Sequence, residues 1–217
     1  MTRLLIFDLD GTLIDSLADL AASANHALQA RGFPLHPVDA YRYFVGNGVT
    51  KLLERALPEG ARDGETLAGV LAEFTRHYGV HRADLTRPYP GIPALLETLK
   101  ERGMLLAVAS NKFHSAVEAM TRLYFGNTLF DLVHGHREGV PPKPHPAIVR
   151  AILAGAKVAP GDTYYIGDSD VDMQTARNAA IRSIGVTWGF RSRGELLANG
   201  ADFIAETPDE ILQIVGA

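Results

Sequence analysis

The sequence predicts an α/β fold: a Rossmann-like open parallel sheet with a small all-helical domain inserted after the first strand. Three observations predict it. The N-terminal run Arg3–Phe7 is apolar, too short for a helix and halted abruptly by Asp8, which marks a buried strand. From Pro88 onward, short apolar runs alternate with helical stretches, the pattern of βαβ units in a parallel sheet covered on both faces. Between these regions the chain keeps helical periodicity with no convincing strand.

After the first strand, Ser16–Arg31 reads as a helix. Leu17, Leu20, Ala21, Ala24, Ala27 and Leu28 form its apolar stripe, and Gly32 is its stop. Helical stretches follow at Val38–Val45, Val49–Leu57 and Glu65–Tyr78, broken by Gly46-Asn47-Gly48 and by Pro58-Glu59-Gly60. Beyond Pro88, helices are predicted over Ile92–Glu101, Ser115–Tyr124, Pro146–Leu153 and Val171–Asn178. Strands are predicted at Leu105–Ala109, Leu132–His134, Thr163–Ile166 and Ser183–Val186, and Glu195–Ala198, Phe203-Ile204 and Glu210–Val215 complete the series. The expected division is a core of residues 1–15 and 87–217 around a helical domain of residues 16–86.

The bulk composition excludes several classes. With 47% hydrophobic and 21% charged residues, the 217-residue chain reads as an ordinary globular protein able to bury a core. A net charge of −4 gives no electrostatic reason to expect a nucleic-acid partner. The absence of cysteine excludes disulfides, thiolate metal sites and a thiol nucleophile, and suits a reducing cytoplasm. No stretch approaches the roughly 18 apolar residues of a membrane span, and the N-terminus lacks the apolar core of a signal peptide. A cytoplasmic protein without a membrane partner is expected.

Three predicted strands end in polar residues of one chemical flavour. The first ends in Asp8-Leu9-Asp10-Gly11-Thr12, the second in Ser110-Asn111, and the fourth in Gly167-Asp168-Ser169-Asp170-Val171-Asp172. Such residues mark turns in general. In an open parallel sheet, however, the ligand crevice lies beyond the carboxyl ends of the strands, so these clusters converge there. Carboxylates gathered in one crevice repel unless something positive sits among them. Mg²⁺ resolves this, since it takes one or two carboxylates and binds a substrate phosphate. Zinc is disfavoured by the lack of cysteine and of a histidine pair beside the clusters. Lys143, between Pro142 and Pro144, adds a compact charge on a stiffened backbone.

DLDGTLIDS (8–16), Ser110-Asn111-Lys112, Lys143-Pro144-His145-Pro146 and GDSDVD (167–172) resemble the four ordered motifs of the haloacid dehalogenase superfamily. The resemblance spans the chain, and it implies specific roles. Asp8 would attack phosphorus and form an aspartyl-phosphate. Asp10 would protonate the leaving alkoxide and then deprotonate the attacking water. Ser110 and Lys143 would hold the phosphoryl oxygens, with Asn111 close by. Mg²⁺ would sit between the side chains of Asp8 and Asp168 and the backbone carbonyl of Asp10, supported by Asp172 and Ser169. His145 is given no role. Where the family often has Ala-Gly after the last motif's helix, this chain has Ala179-Ala180, which bears on a helix end and not on chemistry.

The second aspartate of the first motif disfavours the dehalogenase and phosphonate-hydrolase branches. The helical insert corresponds to the cap that closes over the active site in one subgroup. FVGNGVTKLLERAL (44–57) and GVTWGFRSRGEL (185–196) resemble the phosphoglycolate phosphatases. Gly46 and Gly48 either break the helices or allow close approach to a small substrate, and Arg42 or Lys51 either meets its second charge or is simply solvated. The expected activity is hydrolysis of a small phosphate monoester, 2-phosphoglycolate first. A phosphomutase of the β-phosphoglucomutase type and a non-catalytic phosphate-sensing protein are the alternatives.

Overall fold

The structure, a computed structural model, describes residues 3–216. Strand β1 (Leu4–Phe7) is fully buried. Its residues alternate between two apolar clusters, with Leu5 and Phe7 in one and Leu4 and Ile6 in the other. That alternation is the period-two signature of a strand covered on both faces. The chain then forms β2 (Ile14–Asp15), helix α1 (Leu17–Gln29), α2 (Tyr41–Phe44), α3 (Val49–Ala56) and α4 (Gly64–His81) before β3 (Arg87–Pro88). β2 and β3 pair in a two-stranded ladder.

Alternation of strand and helix follows as predicted: α5 (Ile92–Glu101), β4 (Leu105–Phe113), α6 (His114–Phe125), β5 (Leu132–His136) and α7 (Ala147–Ala156). The series ends with β6 (Thr163–Gly167), α8 (Asp170–Asn178), β7 (Arg182–Val186), α9 (Arg193–Ala198), β8 (Phe203–Ala205) and α10 (Pro208–Ile214). Six strands form one sheet in the order β5-β4-β1-β6-β7-β8, and every pairing is parallel. Apolar residues of α5, α6 and α10 cover one face, and those of α7 and α8 cover the other. This is the α/β architecture that the sequence predicted.

The order places the functional crevice. The connection leaving β1 runs toward β4, whereas the one leaving β6 runs toward β7. The strand order therefore reverses between β1 and β6, and a crevice opens beyond their carboxyl ends. Asp8 follows β1 and Asp168 follows β6. Ladder bonds lock the two in step, pairing Phe7 with Ile166.

β4 runs longer than its apolar residues. Predicted to stop at Ala109, it continues through Ser110 and Asn111 to Phe113, and its register with β5 shifts between Ala109 and Phe113. The polar side chains end the apolar run while the backbone stays extended, so polarity alone misplaced the boundary.

By contact, the chain divides into two compact units: Met1–Ile14 with Pro88–Ala217, and Asp15–Arg87. Within the second unit, α1 and α4 pack together, burying Leu20, Ala24 and Leu28 of the first and Val70, Phe74 and Tyr78 of the second. Asp19, buried on α1, accepts hydrogen bonds from the backbone N–H groups of Leu85 and Thr86 and from the Thr86 hydroxyl. Gly46 and Gly48 take φ of +120° and +85° around the break between α2 and α3. Arg55 closes that break by donating to the Phe44 carbonyl at 2.9 Å and to Asn47 Oδ1 at 2.7 Å. Among the described residues, no helix is long and apolar enough to cross a membrane.

The Ala179-Ala180 departure has a backbone consequence. Ala180, just past the end of α8, takes φ +55°, a left-handed conformation costing a side-chain-bearing residue about 1 kcal/mol. Ala180→Gly is therefore expected to raise unfolding stability by about 0.5–1 kcal/mol. Urea denaturation of the two proteins checks this, and a lower midpoint for the glycine variant would contradict it.

Candidate active site

Lys143 is the hub of the site. Its ammonium, almost fully buried, lies 3.0 Å from Asp8 Oδ1 and 2.8 Å from Asp172 Oδ1. It also donates to the Ala109 carbonyl at 3.1 Å and to the Tyr165 hydroxyl at 2.9 Å. Tyr165 itself donates to the Ala109 carbonyl, so β4 and β6 are joined beneath the lysine. Asn111 fixes the lysine's backbone from both sides: Oδ1 accepts from the Lys143 N–H, and Nδ2 donates to the Lys143 carbonyl. The side-chain amide thus does for an irregular loop what a neighbouring strand does for a ladder.

Asp8, directly after β1, has its carboxylate fixed at one oxygen. Oδ1 accepts the Leu9 N–H at 2.7 Å and faces Lys143, whereas Oδ2 accepts no hydrogen bond from the described residues. Asp168 is held at both oxygens, by the Thr12 hydroxyl at 2.9 Å and by the Phe190 N–H at 2.8 Å. Two glycines make room for it. A Cβ on Gly11, whose φ is +86°, would meet Asp168 Oδ2 at 2.3 Å. One on Gly189 would meet Asp168 Cβ at 2.3 Å and the Gly11 carbonyl at 2.4 Å. Trp188 secures this approach by donating to the Thr12 carbonyl at 3.0 Å. Asp172 serves α8 as well as Lys143: its Oδ2 accepts from the Ser169 N–H and hydroxyl, completing a capping box.

Asp10 has a different partner. Its carboxylate accepts from Lys112 Nζ at 2.9 and 3.0 Å, an ion pair in which the side chains are only 8% and 12% exposed. Ser110, also buried, accepts the Lys112 N–H at 3.3 Å. Of the residues singled out in the sequence, Asp8, Lys143, Asp168 and Asp172 converge directly. Asn111 braces Lys143, and Ser110 and Asp10 are linked through Lys112. The His145 ring accepts the Ala147 N–H, and its backbone N–H goes to the Pro142 carbonyl. Arg42 and Lys51, the candidate cations of the helical unit, sit beside local carboxylates, with Asp39 3.6 Å from the first and Glu54 2.6 Å from the second. Lys112, Tyr165 and Gly189 were given no role from the sequence, and Thr12 was noted only as part of the first strand-end cluster. Lys112 sits in a quoted motif, but only the fold shows which carboxylate it meets.

Burial dominates the electrostatics. Asp8 is pushed up to about 7, first by loss of water and then by Asp172 and Asp10, against the opposing pull of Lys143. Asp168 is raised well above the carboxylate range by burial, Asp172 and Asp8. For Lys143, burial works against the charge, but Asp172 and Asp8 outweigh it and hold the ammonium well above its ordinary value. Protein atoms alone thus leave the cluster short of positive charge.

The family model for haloacid dehalogenase-like hydrolases matches residues 5–186, so it takes in Asp8, Asp10, Lys143, Asp168 and Asp172. The chain belongs to that family. A phosphoglycolate phosphatase of Mannheimia succiniciproducens is 32% identical over 98% of each chain. A candidate phosphoglycolate phosphatase of Lactobacillus delbrueckii subsp. bulgaricus superposes with a TM-score of 0.93 at 32% identity, covering 99% of each chain. CbbY of Rhodobacter sphaeroides, solved in complex with phosphate, superposes with a TM-score of 0.81 at 26% identity, over 97% of this chain and 96% of that one. These full-length likenesses make this haloacid dehalogenase-like chain a phosphoric monoester hydrolase.

The hydrolase's acidic cluster fits a hard divalent cation. Asp8, Asp168 and Asp172 each offer an oxygen, all within 4.8 Å of one another and all buried. Every donor is a carboxylate oxygen, the set that suits Mg²⁺. Lys143 is shared between Asp172 and Asp8, which leaves one ammonium among three buried carboxylates. A pH dependence follows. A carboxyl raised to about 7 favours the metal-free fold most below the ordinary carboxylate range, near pH 4, and that contribution is lost as pH rises through 7. A cation binds only after displacing the proton. The rise in Tm produced by a fixed Mg²⁺ concentration is therefore expected to be larger at pH 8 than at pH 6. Thermal unfolding at both values checks this, and an equal rise would contradict it.

Proposed function

We propose that this chain is a Mg²⁺-dependent phosphatase that hydrolyses a small phosphate monoester, 2-phosphoglycolate before others, through a phosphoryl group carried on Asp8. One observation carries the reading: Asp8 is buried, Lys143 and Leu9 fix one of its oxygens, and Oδ2 accepts no hydrogen bond from the described residues. A carboxylate held in this way presents a single oxygen for attack. It approaches an anionic phosphorus only where positive charge offsets the repulsion.

Asp8 Oδ2 bonds to phosphorus as the ester P–O bond breaks, and Asp10 gives its proton to the departing alkoxide. A water then attacks the same phosphorus and passes a proton to Asp10. The Asp8–phosphorus bond breaks, releasing inorganic phosphate and restoring the Asp8 carboxylate and the protonated Asp10. Lys143 and the Ser110 hydroxyl hold the phosphoryl oxygens, and Asn111 keeps Lys143 in place. The side chains of Asp8 and Asp168 and the Asp10 carbonyl would hold Mg²⁺, with Asp172 and Ser169 behind them. When bound, Mg²⁺ supplies charge neutralisation for the phosphoryl group.

The phosphoglycolate phosphatases that the chain resembles along its length support the substrate, as does the likeness of segments 44–57 and 185–196. Phosphate bound to CbbY, a relative of the same fold, supports a phosphate ligand. The lack of cysteine supports a reducing cytoplasm as the proposed location. Hydrolysis of p-nitrophenyl phosphate, with and without Mg²⁺, tests the chemistry, and kcat/KM over a panel of small phosphate esters tests the substrate. Asp8→Asn is expected to lower kcat by roughly a thousandfold or more, and 2-phosphoglycolate to head the panel. Undiminished turnover by Asp8→Asn would contradict the nucleophile, and a flat panel would contradict the substrate.

A further inference from the structure

Lys112 pairs with both oxygens of Asp10, and the pair is largely out of water. A surface ion pair of this kind would need no explanation. Here a lysine is desolvated beside the residue that handles the leaving group, and its partner is a different carboxylate from those that Lys143 meets. We propose that Lys112 is the specificity-determining cation of this site, meeting an anionic group borne one carbon beyond the ester oxygen of the substrate. The proposal rests on the phosphatase reading above.

The distances support it. To protonate the departing oxygen, Asp10 must come within hydrogen-bond reach of it. Lys112 Nζ lies 2.9 and 3.0 Å from the Asp10 oxygens. Two such lengths bring Lys112 within roughly 6 Å of the ester oxygen. In an ester of a 2-hydroxy acid, the carboxylate is joined to that oxygen through a single carbon, so it falls within reach of the ammonium. An ammonium is a compact charge with three donors, able to serve two carboxylates at once.

The other candidate cations are committed elsewhere. Lys143 serves Asp8, Asp172, the Ala109 carbonyl and Tyr165. Lys51 lies against Glu54 on its own helix, with its side chain 56% exposed. Arg42 faces Asp39 and is 43% exposed. Exposed charges of that kind contribute little, whereas a desolvated ammonium gains strongly from an added anion.

The test compares Lys112→Met and Lys112→Arg with the wild type on two matched classes of ester. One class carries a carboxylate beside the ester carbon: 2-phosphoglycolate and 2-phospholactate. The other is neutral: ethyl phosphate and propyl phosphate. For Lys112→Met, kcat/KM on the carboxylated esters is expected to fall roughly 30-fold or more, mostly through KM, as for a buried charge that loses its partner. On the neutral esters the fall is expected to be about fivefold or less, and Lys112→Arg should restore most of the difference. Equal losses on both classes would overturn the proposal, leaving Lys112 to position Asp10 alone. Thermal unfolding with and without Mg²⁺ reports whether each variant is folded, and the ratio between classes is read only within one folded variant. If the wild type ignores 2-phosphoglycolate, the substrate reading fails by itself, while 2-phospholactate against propyl phosphate still decides the role of Lys112.

Discussion

A single buried ammonium holds four parts of this site in place. Lys143 ties the end of β1 through Asp8, the carbonyl of Ala109 on β4, the hydroxyl of Tyr165 on β6, and the first turn of α8 through Asp172. Remove that charge and the buried carboxylates face one another without compensation, which neither the packing nor the local turns could absorb. The lysine is in turn held by Asn111, whose amide replaces the ladder bonds that an irregular loop lacks. Buried carboxylates of this kind persist because the cation beside them is buried as well.

The sheet delivers these residues to one place. Asp8 and Asp168 stand 160 positions apart, but β1 and β6 are ladder neighbours and the two aspartates follow their adjacent ends. Apolar burial on both faces fixes the register, since a slip of one residue would exchange the two clusters that Leu4 to Phe7 divide between them. The glycines do the remaining work on a smaller scale. Gly11 and Gly189 leave the space that Asp168 fills, so the backbone comes as close to the carboxylate as a side chain normally would.

Much of this was legible in the sequence because the cues are local. A four-residue apolar run stopped by aspartate, alternation of strand and helix after Pro88, and motifs at strand ends require only short windows. What was not legible depends on contacts between distant segments. Lys112 and Asp10 are 102 positions apart, and no spacing says which of several carboxylates a lysine will meet. Asp19 reads as one more acidic residue on a helix until the fold brings Leu85 and Thr86 to it. The extension of β4 through Ser110 and Asn111 was missed because an extended backbone with polar side chains looks like a loop. Tyr165 read as a strand residue, and its hydroxyl acquires a function only from the lysine above it.

In the proposed reaction, Asp8 is the residue that takes up phosphorus. The direct measurement is acid quench of Asp10→Asn protein during reaction with substrate and Mg²⁺, followed by peptide mass spectrometry. Slowed release of the phosphoryl group in that variant should leave an acid-stable, alkali-labile phosphoryl adduct on the peptide that carries Asp8. An adduct on any other residue, or none while substrate is consumed in the same quench, would contradict it.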